Sequence, residues 1–258
     1  MSLPMVSAEI RGLRAERPVS RLSVYLASSR DEIDSALALR YEIFAHEFGA
    51  EIAGPRPGID EDEFDAHCGH LLVRDDDRDE VVGTYRILTP ERAAAAGRYY
   101  SQGEFDLARV LRRGRRVLEV GRSCVHPDHR NGATIALLWQ GLAQFMQSRH
   151  YEYMIGCASI SMVDGGHGAA SIYNSLRQAS MSPIEYRVFP RYPLPLERLD
   201  DTLDTALPPL IKGYVRCGAW VCGDPAWDPD FNTADLLMLL PMSRLDRRYA
   251  RHFMKHDQ

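Results

Sequence analysis

Glu119 and Arg122 have the clearest chemical potential in the sequence, in the segment Glu119-Val-Gly-Arg122 that precedes His126-Pro-Asp128. On a regular strand the two side chains would point to opposite faces. Gly121 between them is typical of a β-bulge, which would bring both side chains into one cleft. A carboxylate there could take a proton from an ammonium group and so produce an amine nucleophile. The alternative is a simple ion pair at the end of a strand.

An acidic loop, Asp60-Glu-Asp-Glu-Phe-Asp65, supplies further charged candidates in Asp62 and Asp65. Runs of acidic residues are usually just solvated. Arg40, however, lies at the edge of the apolar face of a predicted helix, and a buried arginine needs a carboxylate partner. We therefore expect Arg40 or Arg86 to pair with Asp62 or Asp65.

The turn Arg130-Asn-Gly-Ala-Thr134, which precedes a predicted helix, is a third candidate. Backbone N–H groups at a helix N-terminus bind phosphate or pyrophosphate, although a single glycine also fits an ordinary loop-to-helix turn. The five cysteines are scattered through apolar segments, and the sequence has neither a zinc-ligand cluster nor a nucleophile motif. The sequence thus predicts no metal site and no covalent intermediate.

Composition and charge exclude several classes of protein. The chain has 258 residues, of which 45% are hydrophobic and 26% charged, as in an ordinary globular protein. Its net charge of −5 argues against nucleic acid as the main partner. The longest apolar run, 236–242, is too short to span a bilayer, and residues 1–18 lack the apolar core of a secretory signal. We therefore expect a reduced, cytoplasmic protein.

Hydrophobic periodicity predicts the elements that position these candidates. A capping box, Ser29-Arg-Asp-Glu32, opens a helix whose apolar residues extend to Phe48. Strands are predicted at 22–26, 70–73, 81–88, 117–125, 153–158, 219–222 and 235–240, and helices after Pro90, at 135–146, at 169–178, after Pro208 and at 244–255. We expect residues 1–20 to form a flexible basic arm. Residues 21–258 are expected to form a single α/β or α+β domain with a C-terminal extension from about 183.

Motifs at matching positions identify a family resemblance. The motifs Arg40-x-x-x-Phe44, Asp62-x-x-Asp65, Gly83-Thr-Tyr-Arg86 and Glu119-x-x-Arg122 resemble the pattern of acyl-homoserine-lactone synthases, which have a GNAT-like fold. A longer series resembles the bacterial L-ornithine Nα-acyltransferases: Asp62-Glu-Phe-Asp65, His70-Leu-Leu-Val73, Glu104-Phe-Asp-Leu107, Gly121-Arg-Ser-Cys-Val-His-Pro127, Gly156-Cys-Ala158, Lys212-Gly-Tyr214, Gly218-Ala-Trp220 and Phe231-Asn-Thr233. The resemblance covers roughly residues 20–253. It implies a GNAT-like acyltransferase fold, α/β (α+β), with a central mixed sheet flanked by helices.

The resemblance also implies a reaction: a (3-hydroxy)fatty acyl group moves from acyl carrier protein to the α-amine of L-ornithine, the first step of ornithine lipid synthesis. Glu119 would be the base and Arg122 a second catalytic residue, with backbone N–H groups around 123–125 stabilising the oxyanion. The implied amino-acid site is Arg40, Phe44, Asp62, Asp65 and Arg86. The implied site for the donor's pantetheine arm is Val125, His126, Arg130, Gly132 and Ala133. No metal is expected, and no cofactor beyond the donor's phosphopantetheine.

The expected partners follow from the same resemblance. The CoA-binding turn of typical GNAT enzymes has a basic first and a small last residue, whereas this chain has His129-x-x-Gly132-x-Thr134, which favours a carrier-protein donor. The acyl chain is expected to contact Phe44, Leu138, Trp139, Leu142 and Ile155. Acyl carrier protein is acidic and needs a basic docking surface. The candidates are Arg112, Arg113, Arg115 and Arg116, or Arg244, Arg247, Arg248, Arg251 and Lys255, which could instead contact the inner membrane.

Three alternatives stay open at this point. An acyl-homoserine-lactone synthase would use S-adenosylmethionine, but the extension after residue 183 and the segment Gly121-Arg-Ser-Cys-Val-His-Pro127 argue against it. A non-enzymatic protein that binds a membrane or a partner could keep the same fold. An ordinary acetyl-CoA-dependent transferase is disfavoured by the altered turn before residue 134.

Overall fold

Ten strands and six α-helices occur in the part of the chain that the structure, a computed structural model, describes: residues 21–52, 54–112 and 115–245. The strands are β1 (Leu22–Leu26), β2 (Gly69–Asp75), β3 (Glu80–Leu88), β4 (Phe105–Asp106), β5 (Val117–Val125), β6 (Tyr153–Ser161), β7 (Phe189–Pro190), β8 (Trp220–Val221), β9 (Ala226–Asp228) and β10 (Thr233–Pro241). The α-helices are α1 (Arg30–Tyr41), α2 (Pro90–Ala95), α3 (Ala108–Leu111), α4 (Ala133–Ser148), α5 (His167–Ala179) and α6 (Pro209–Arg216). Within those ranges, none of the helices is both long and apolar enough to cross a membrane.

Three predictions fall wholly or mainly outside the described residues. They are the basic arm at 1–20, Arg113, and the basic helix at 244–255 apart from its first two residues. Arg244 closes a 3₁₀ turn, Met242–Arg244, instead of opening an α-helix. The predicted start of that helix is therefore wrong at Arg244.

Eight of the strands form one mixed sheet in the order β1-β2-β3-β5-β6-β10-β8, with β9 also paired to β10. Each neighbouring pair is antiparallel except β5 and β6, which run parallel. Helices α1 and α4 pack against the β1–β5 part of this sheet. Leu138, Leu142 and Met146 of α4 join Leu71 and Val73 of β2 in the largest hydrophobic cluster. The expected mixed sheet flanked by helices is confirmed.

The parallel strands β5 and β6 pair only at their N-terminal ends, over Val117–Glu119. Gly156 of β6 allows a close approach there, because a β-carbon at this position would lie 2.4 Å from the carbonyl oxygen of Val120. Beyond Glu119 the pairing stops, and a cavity opens between the remaining halves of the two strands. The interrupted pairing therefore makes room inside the sheet for a ligand.

Helix α1 begins at Ser29, whose side chain and that of Glu32 form the predicted capping box. The prediction of a continuous α-helix to Phe48 is wrong beyond Tyr41, because Glu42–Glu47 form a π-helical turn. Turns of this kind are rare in proteins overall, but those that do occur often lie at functional sites. Here the wider turn stacks Phe44 and Phe48, with ring centroids 6.5 Å apart, at the wall of the cavity.

Candidate active site

The cavity between β5 and β6 has a volume of about 730 Å³, which is typical of sites for small organic ligands. One part is apolar, and Ile43, Phe44, Phe48, Ile135, Leu138, Trp139, Val163 and Leu210 contribute to it. Another part is polar, with Arg86, Ser101, Glu119, Arg122, Cys157, Asp228 and Asp235. One continuous space thus offers surfaces for a hydrocarbon chain and for a charged molecule.

The Glu119 carboxylate is 4% exposed and lies at the point where β5 and β6 separate. Its Oε2 accepts a hydrogen bond from Tyr100 N (2.7 Å) and its Oε1 accepts one from Ser101 N (2.8 Å). The Ser101 hydroxyl donates a third, short hydrogen bond to Oε1. Burial raises the pKa of Glu119, while these hydrogen bonds act in the opposite direction. The carboxylate is therefore buried and held in one orientation by three hydrogen bonds, an arrangement that would suit a proton acceptor.

A 3₁₀ turn, Tyr100–Gly103, aims these donors at Glu119. Gln102 fixes the start of the turn by accepting a hydrogen bond from Tyr99 N (2.8 Å), and the Tyr99 hydroxyl donates to Val117 O on β5 (2.9 Å). Sequence reasoning did not find this turn, because its residues show no helical periodicity. Its position depends on contacts with β5, which lies more than fifteen residues away in the chain.

The predicted β-bulge occurs in β5 at Arg122. The register between β3 and β5 shifts between Thr84 and Arg86, and Arg122 has a φ of 50°, in the left-handed region. The bulge brings Arg122 to the same cavity as Glu119, as the glycine predicted. The Arg122 guanidinium lies over the rings of Tyr100 (5.2 Å) and Phe231 (4.6 Å), which fix its position.

Three arginines and three aspartates form an ion-pair network behind the cavity; they are Arg40, Arg86, Arg122, Asp60, Asp62 and Asp65. Arg40 is fully buried, donating to Asp60 (2.8 Å) and to both oxygens of Asp65 (2.6 and 3.1 Å). The Arg40 and Arg86 charges hold the pKa of Asp65 well below its usual range, against the effect of burial. The predicted pairing of Arg40 with Asp65 is confirmed.

Arg86 and Arg122 connect this network to the cavity. Arg86 donates to Asp62 at 2.6 Å and Arg122 donates to the other oxygen of Asp62 at 3.2 Å. The nearby Asp62 and Asp65 charges raise the pKa of Arg86 despite its burial. Of the seven residues predicted to catalyse or bind the acceptor, Phe44, Arg86, Glu119 and Arg122 line the cavity. Arg40, Asp62 and Asp65 do not line the cavity. Asp62 pairs with Arg86 and Arg122, and Asp65 pairs with Arg86 and Arg40.

The turn before α4 lies beside the cavity, but its charged side chains are already paired. Arg130 forms a two-bond ion pair with Glu47 (2.7 and 2.6 Å) and donates to Val125 O (3.0 Å). His129 is buried, with Nε2 3.1 Å from Asp75 Oδ2. Of the residues predicted to contact pantetheine, Val125 and Arg130 line the cavity.

The other three predicted pantetheine residues surround that turn. His126 accepts a hydrogen bond from Asp128 N (3.3 Å), Gly132 caps α4 with a φ of 90°, and Ala133 is the first residue of α4. Of the predicted acyl-chain residues, Phe44, Leu138 and Trp139 line the cavity, while Leu142 and Ile155 belong to the hydrophobic clusters.

Carboxylates on β9 and β10 form a second charged region that sequence reasoning missed. Asp228 and Asp235 line the cavity, and oxygens of Asp235 and Glu104 lie within 4.8 Å of each other and of the Cys157 sulfur. By composition these three groups could also hold a metal ion. One signal was available: Asp235 is the third residue of β10 and directly precedes an apolar run in that strand, where a carboxylate is costly unless it has a role.

The Tyr85 and Tyr214 hydroxyls lie 3.3 Å apart beside the apolar part of the cavity. Both tyrosines are buried, and burial raises the pKa of each. Both hydroxyls therefore keep their protons at neutral pH. The pair supplies a polar group within a wall that is otherwise apolar.

Comparison with known proteins identifies the family. Residues 39–140 match the family model for an acetyltransferase (GNAT) domain. The chain is 37% identical to the L-ornithine N(alpha)-acyltransferase of Agrobacterium fabrum over 252 residues, covering 91% of this chain and 86% of that protein. It is also 37% identical to the Rhizobium meliloti protein of the same name over 253 residues, covering 91% and 85%.

A solved structure shares the fold at much lower identity. A CoA-dependent acyl-homoserine lactone synthase has a TM-score of 0.53 and 16% identity, with 90% of each chain covered. This likeness confirms the GNAT-like architecture that the sequence predicts. Sequence identity above 35% across nine-tenths of the chain is the stronger finding. The protein belongs to the L-ornithine Nα-acyltransferase family of GNAT-fold enzymes.

Proposed function

We propose that this protein transfers a (3-hydroxy)fatty acyl group from acyl carrier protein to the α-amine of L-ornithine. The observation that carries the proposal is a single cavity in which the bulged pair Glu119 and Arg122 adjoins an apolar wall. Its polar part fits an amino acid, and its apolar part fits an acyl chain. We take ornithine as the acceptor because the related enzymes are L-ornithine N(alpha)-acyltransferases.

The reaction begins with the amino acid held by its carboxylate. Arg86 and Arg122 line the cavity while bonded to Asp62, and Arg122 Nε has no hydrogen-bond partner in the described ranges. The Arg122 guanidinium would therefore donate to the substrate carboxylate, and the Arg86 charge would attract it. Glu119 then takes a proton from the α-ammonium group, directly or through one water. The free amine attacks the thioester carbon, and backbone N–H groups around 123–125 stabilise the oxyanion. The tetrahedral intermediate then collapses and its C–S bond breaks. The nitrogen loses its second proton, which the departing thiolate accepts.

The turn before α4 favours a carrier-protein donor over CoA. The basic first residue of the usual CoA-binding turn has no counterpart here, because Arg130 is paired with Glu47 and His129 is buried against Asp75. A pantetheine arm carries a single phosphate, which stays at the surface of its carrier. We therefore expect kcat/KM for acyl carrier protein to exceed that for the matching acyl-CoA by at least about tenfold. Equal values would contradict the assignment of the donor.

An acidic carrier needs basic residues at its docking surface. Among the described candidates, Arg112 and Arg116 are exposed, Arg115 lies over the Tyr186 ring (4.4 Å) and Arg244 lies over Trp220 (4.6 Å). Arg116 precedes β5 at the end where that strand is paired with β6. The alternative is that the same arginines contact an anionic membrane surface. In that case the protein should bind anionic vesicles in the absence of carrier protein.

The proposed function is tested by measuring free carrier-protein thiol with a panel of acceptors. Purified enzyme and 3-hydroxyacyl carrier protein are mixed with ornithine, lysine, glutamine or S-adenosylmethionine. Thiol release that depends on ornithine supports the proposal. Release with S-adenosylmethionine alone would make the protein a signal synthase. If folded enzyme releases no thiol with any amine, the carrier-protein reaction is wrong.

A further inference from the structure

Three carboxylates at the β9–β10 side of the cavity, those of Glu104, Asp228 and Asp235, form no ion pair with a basic side chain in the described ranges. Only for one of them, Asp228, does the nearby Arg122 charge act to lower the pKa. Asp228 accepts hydrogen bonds from two backbone N–H groups, and Asp235 accepts one from the Thr233 hydroxyl (2.9 Å). In contrast, Asp60, Asp62 and Asp65 of the arginine network each form an ion pair with an arginine.

The surroundings of Glu104 give an independent argument for a ligand-binding site at this side of the cavity. Both of its carboxylate oxygens are buried, and neither has a hydrogen-bond partner in the part of the chain that the structure describes. Its oxygens lie within 4.8 Å of Asp235 and of Cys157, which both line the cavity. The groups that interact with this carboxylate, the Cys157 thiol and the Asp235 carboxyl, offer only a weak donor and a shared proton, so a stronger hydrogen-bond donor would be favourable here.

The electrostatics of this group favour a cationic ligand. Burial and the neighbouring charges of Asp235 and Asp228 raise the pKa of Glu104 well above its usual range. Burial raises the pKa values of Asp228 and Asp235 as well. A bound cation would let these groups ionise and would replace repulsion between them with attraction.

We propose that Glu104, Asp228 and Asp235 bind the side-chain ammonium group of the amino-acid substrate and thereby select a diamino acid. This inference rests on the proposed function and adds the residues that recognise the second amine. The carboxylates hold that amine as an ammonium ion, which is not a nucleophile. Only the α-amine at Glu119 is then free to attack, so the same contact directs acylation to the α-position.

A chain of contacts connects the two amine sites. The Cys157 thiol donates to the Ser101 hydroxyl (3.3 Å), which donates to Glu119. The Cys157 sulfur also lies within 4.8 Å of the Glu104 and Asp235 oxygens. Two side chains, Ser101 and Cys157, thus lie between Glu119 and the carboxylates. The two nitrogens of ornithine are themselves separated by four carbon atoms, the α-carbon and three methylene groups, so one molecule could contact both sites.

A metal ion fits this group less well than an ammonium ion. A thiol must lose its proton to bind a metal, whereas burial raises the pKa of Cys157 well above its usual range. Its S–H is also used as a donor to Ser101. An ammonium ion needs only acceptors, and the carboxylates supply them.

The test compares ornithine with norvaline, which has the same carbon chain but lacks the second amine. For the unmodified enzyme we expect kcat/KM for ornithine to exceed that for norvaline by at least about 10²-fold. Glu104→Gln and Asp235→Asn should each lower this ratio at least about tenfold, mainly through KM for ornithine. Glu197→Gln, whose side chain is 73% exposed and lies outside the cavity, should leave it unchanged.

Each result separates this inference from the proposed function. If ornithine is acylated but Glu104→Gln and Asp235→Asn keep the full ratio, the ammonium site is wrong and the proposed function stands. If neutral amino acids are the only acceptors, the proposed function itself fails. Should either variant not fold, calorimetric binding to the unmodified enzyme decides the matter. Equal affinity for norvaline and ornithine, or a stoichiometric bound metal that blocks ornithine, would overturn the inference.

Discussion

Glu119 combines two properties that rarely occur together in one carboxylate. It is buried at the cavity wall, which raises its pKa, yet it accepts three hydrogen bonds that hold it in one orientation. A base of this kind is positioned before the substrate arrives, so little reorganisation is needed when the proton moves.

Replacing Glu119 with glutamine should remove the base while keeping the shape of the side chain. We expect kcat to fall by about 10²–10⁴-fold, with a smaller change in KM for ornithine. Thiol release measures the rate, and circular dichroism checks that the variant is folded. A folded Glu119→Gln enzyme that keeps more than half of its turnover would contradict the assigned role.

Ser101→Ala tests how the hydrogen bonds tune this base. The Ser101 hydroxyl lowers the pKa of Glu119, so its loss should raise that pKa further. Glu119 must be deprotonated to accept a proton, and the acid limb of the kcat–pH profile should therefore move to higher pH. An unchanged or lowered limb would show that Glu119 does not control the rate.

Residue types alone predicted three of the seven polar residues named above at the cavity: Arg86, Glu119 and Arg122. The motif at 119–122 indicated the proposed base and correctly predicted the bulge, because a glycine inside a strand, between two charged residues, is typical of a bulge or of a close backbone approach. The predicted pairs of Arg40 and Arg86 with Asp62 or Asp65 also form, but the sequence did not show that these aspartates would lie outside the cavity lining. Asp235 was missed because its cavity neighbours come from distant parts of the chain.

At the scale of elements, an ion-pair network connects α1, the acidic loop and the bulged strand β5. Arg40 belongs to α1 and Asp65 to a 3₁₀ turn before β2, and both are buried. Because removal of one partner leaves a buried charge unpaired, Asp65→Asn should lower the free energy of unfolding by about 3–5 kcal/mol. Urea denaturation measures this change. Glu63→Gln, in an exposed pair with Arg98, should cost less than about 1 kcal/mol.

The same network predicts a dependence of stability on pH. The pKa of Asp65 is lower in the folded protein than in the unfolded chain. Its contribution is therefore complete above the unfolded value of about 3.9 and is lost as the pH falls below it. The unmodified protein should lose stability below about pH 4 more steeply than Asp65→Asn. Parallel curves would show that Asp65 is not the group responsible.

Most long elements were predictable, whereas the short ones that shape the site were not. Alternation and the capping box at Ser29 predicted the strands and helices of the sheet, because burial of one face imposes a regular pattern. The π-turn at Glu42–Glu47 and the 3₁₀ turn at Tyr100–Gly103 lack such a pattern. They depend on tertiary contacts, which local sequence does not encode.

At the scale of the whole molecule, one cavity has two arginines, a group of carboxylates and an apolar wall. Under the proposed function, the charged groups would orient the amino acid and the apolar wall would be left to the acyl chain. Gly213 of α6 lies in that wall, and a β-carbon there would meet no atom within 4 Å. The space beside it is therefore open to a larger side chain.

Gly213→Phe should shorten the acyl chain that the enzyme accepts. Each methylene group excluded from the cavity is worth about 0.8 kcal/mol, or about fourfold in kcat/KM. Donors with graded chain lengths measure the effect, and the shortest donors should be unaffected. Equal loss for all chain lengths would place the acyl chain elsewhere.

The most direct measurement is tandem mass spectrometry of the product formed from 3-hydroxyacyl carrier protein and ornithine. It reports the donor, the acceptor and the acylated nitrogen in one experiment, with free thiol counted in parallel. We predict one product, acylated on the α-nitrogen, in a one-to-one ratio with released thiol. Acylation of the δ-nitrogen, or thiol release without an ornithine amide, would contradict the assigned reaction and the arrangement of the two amine sites.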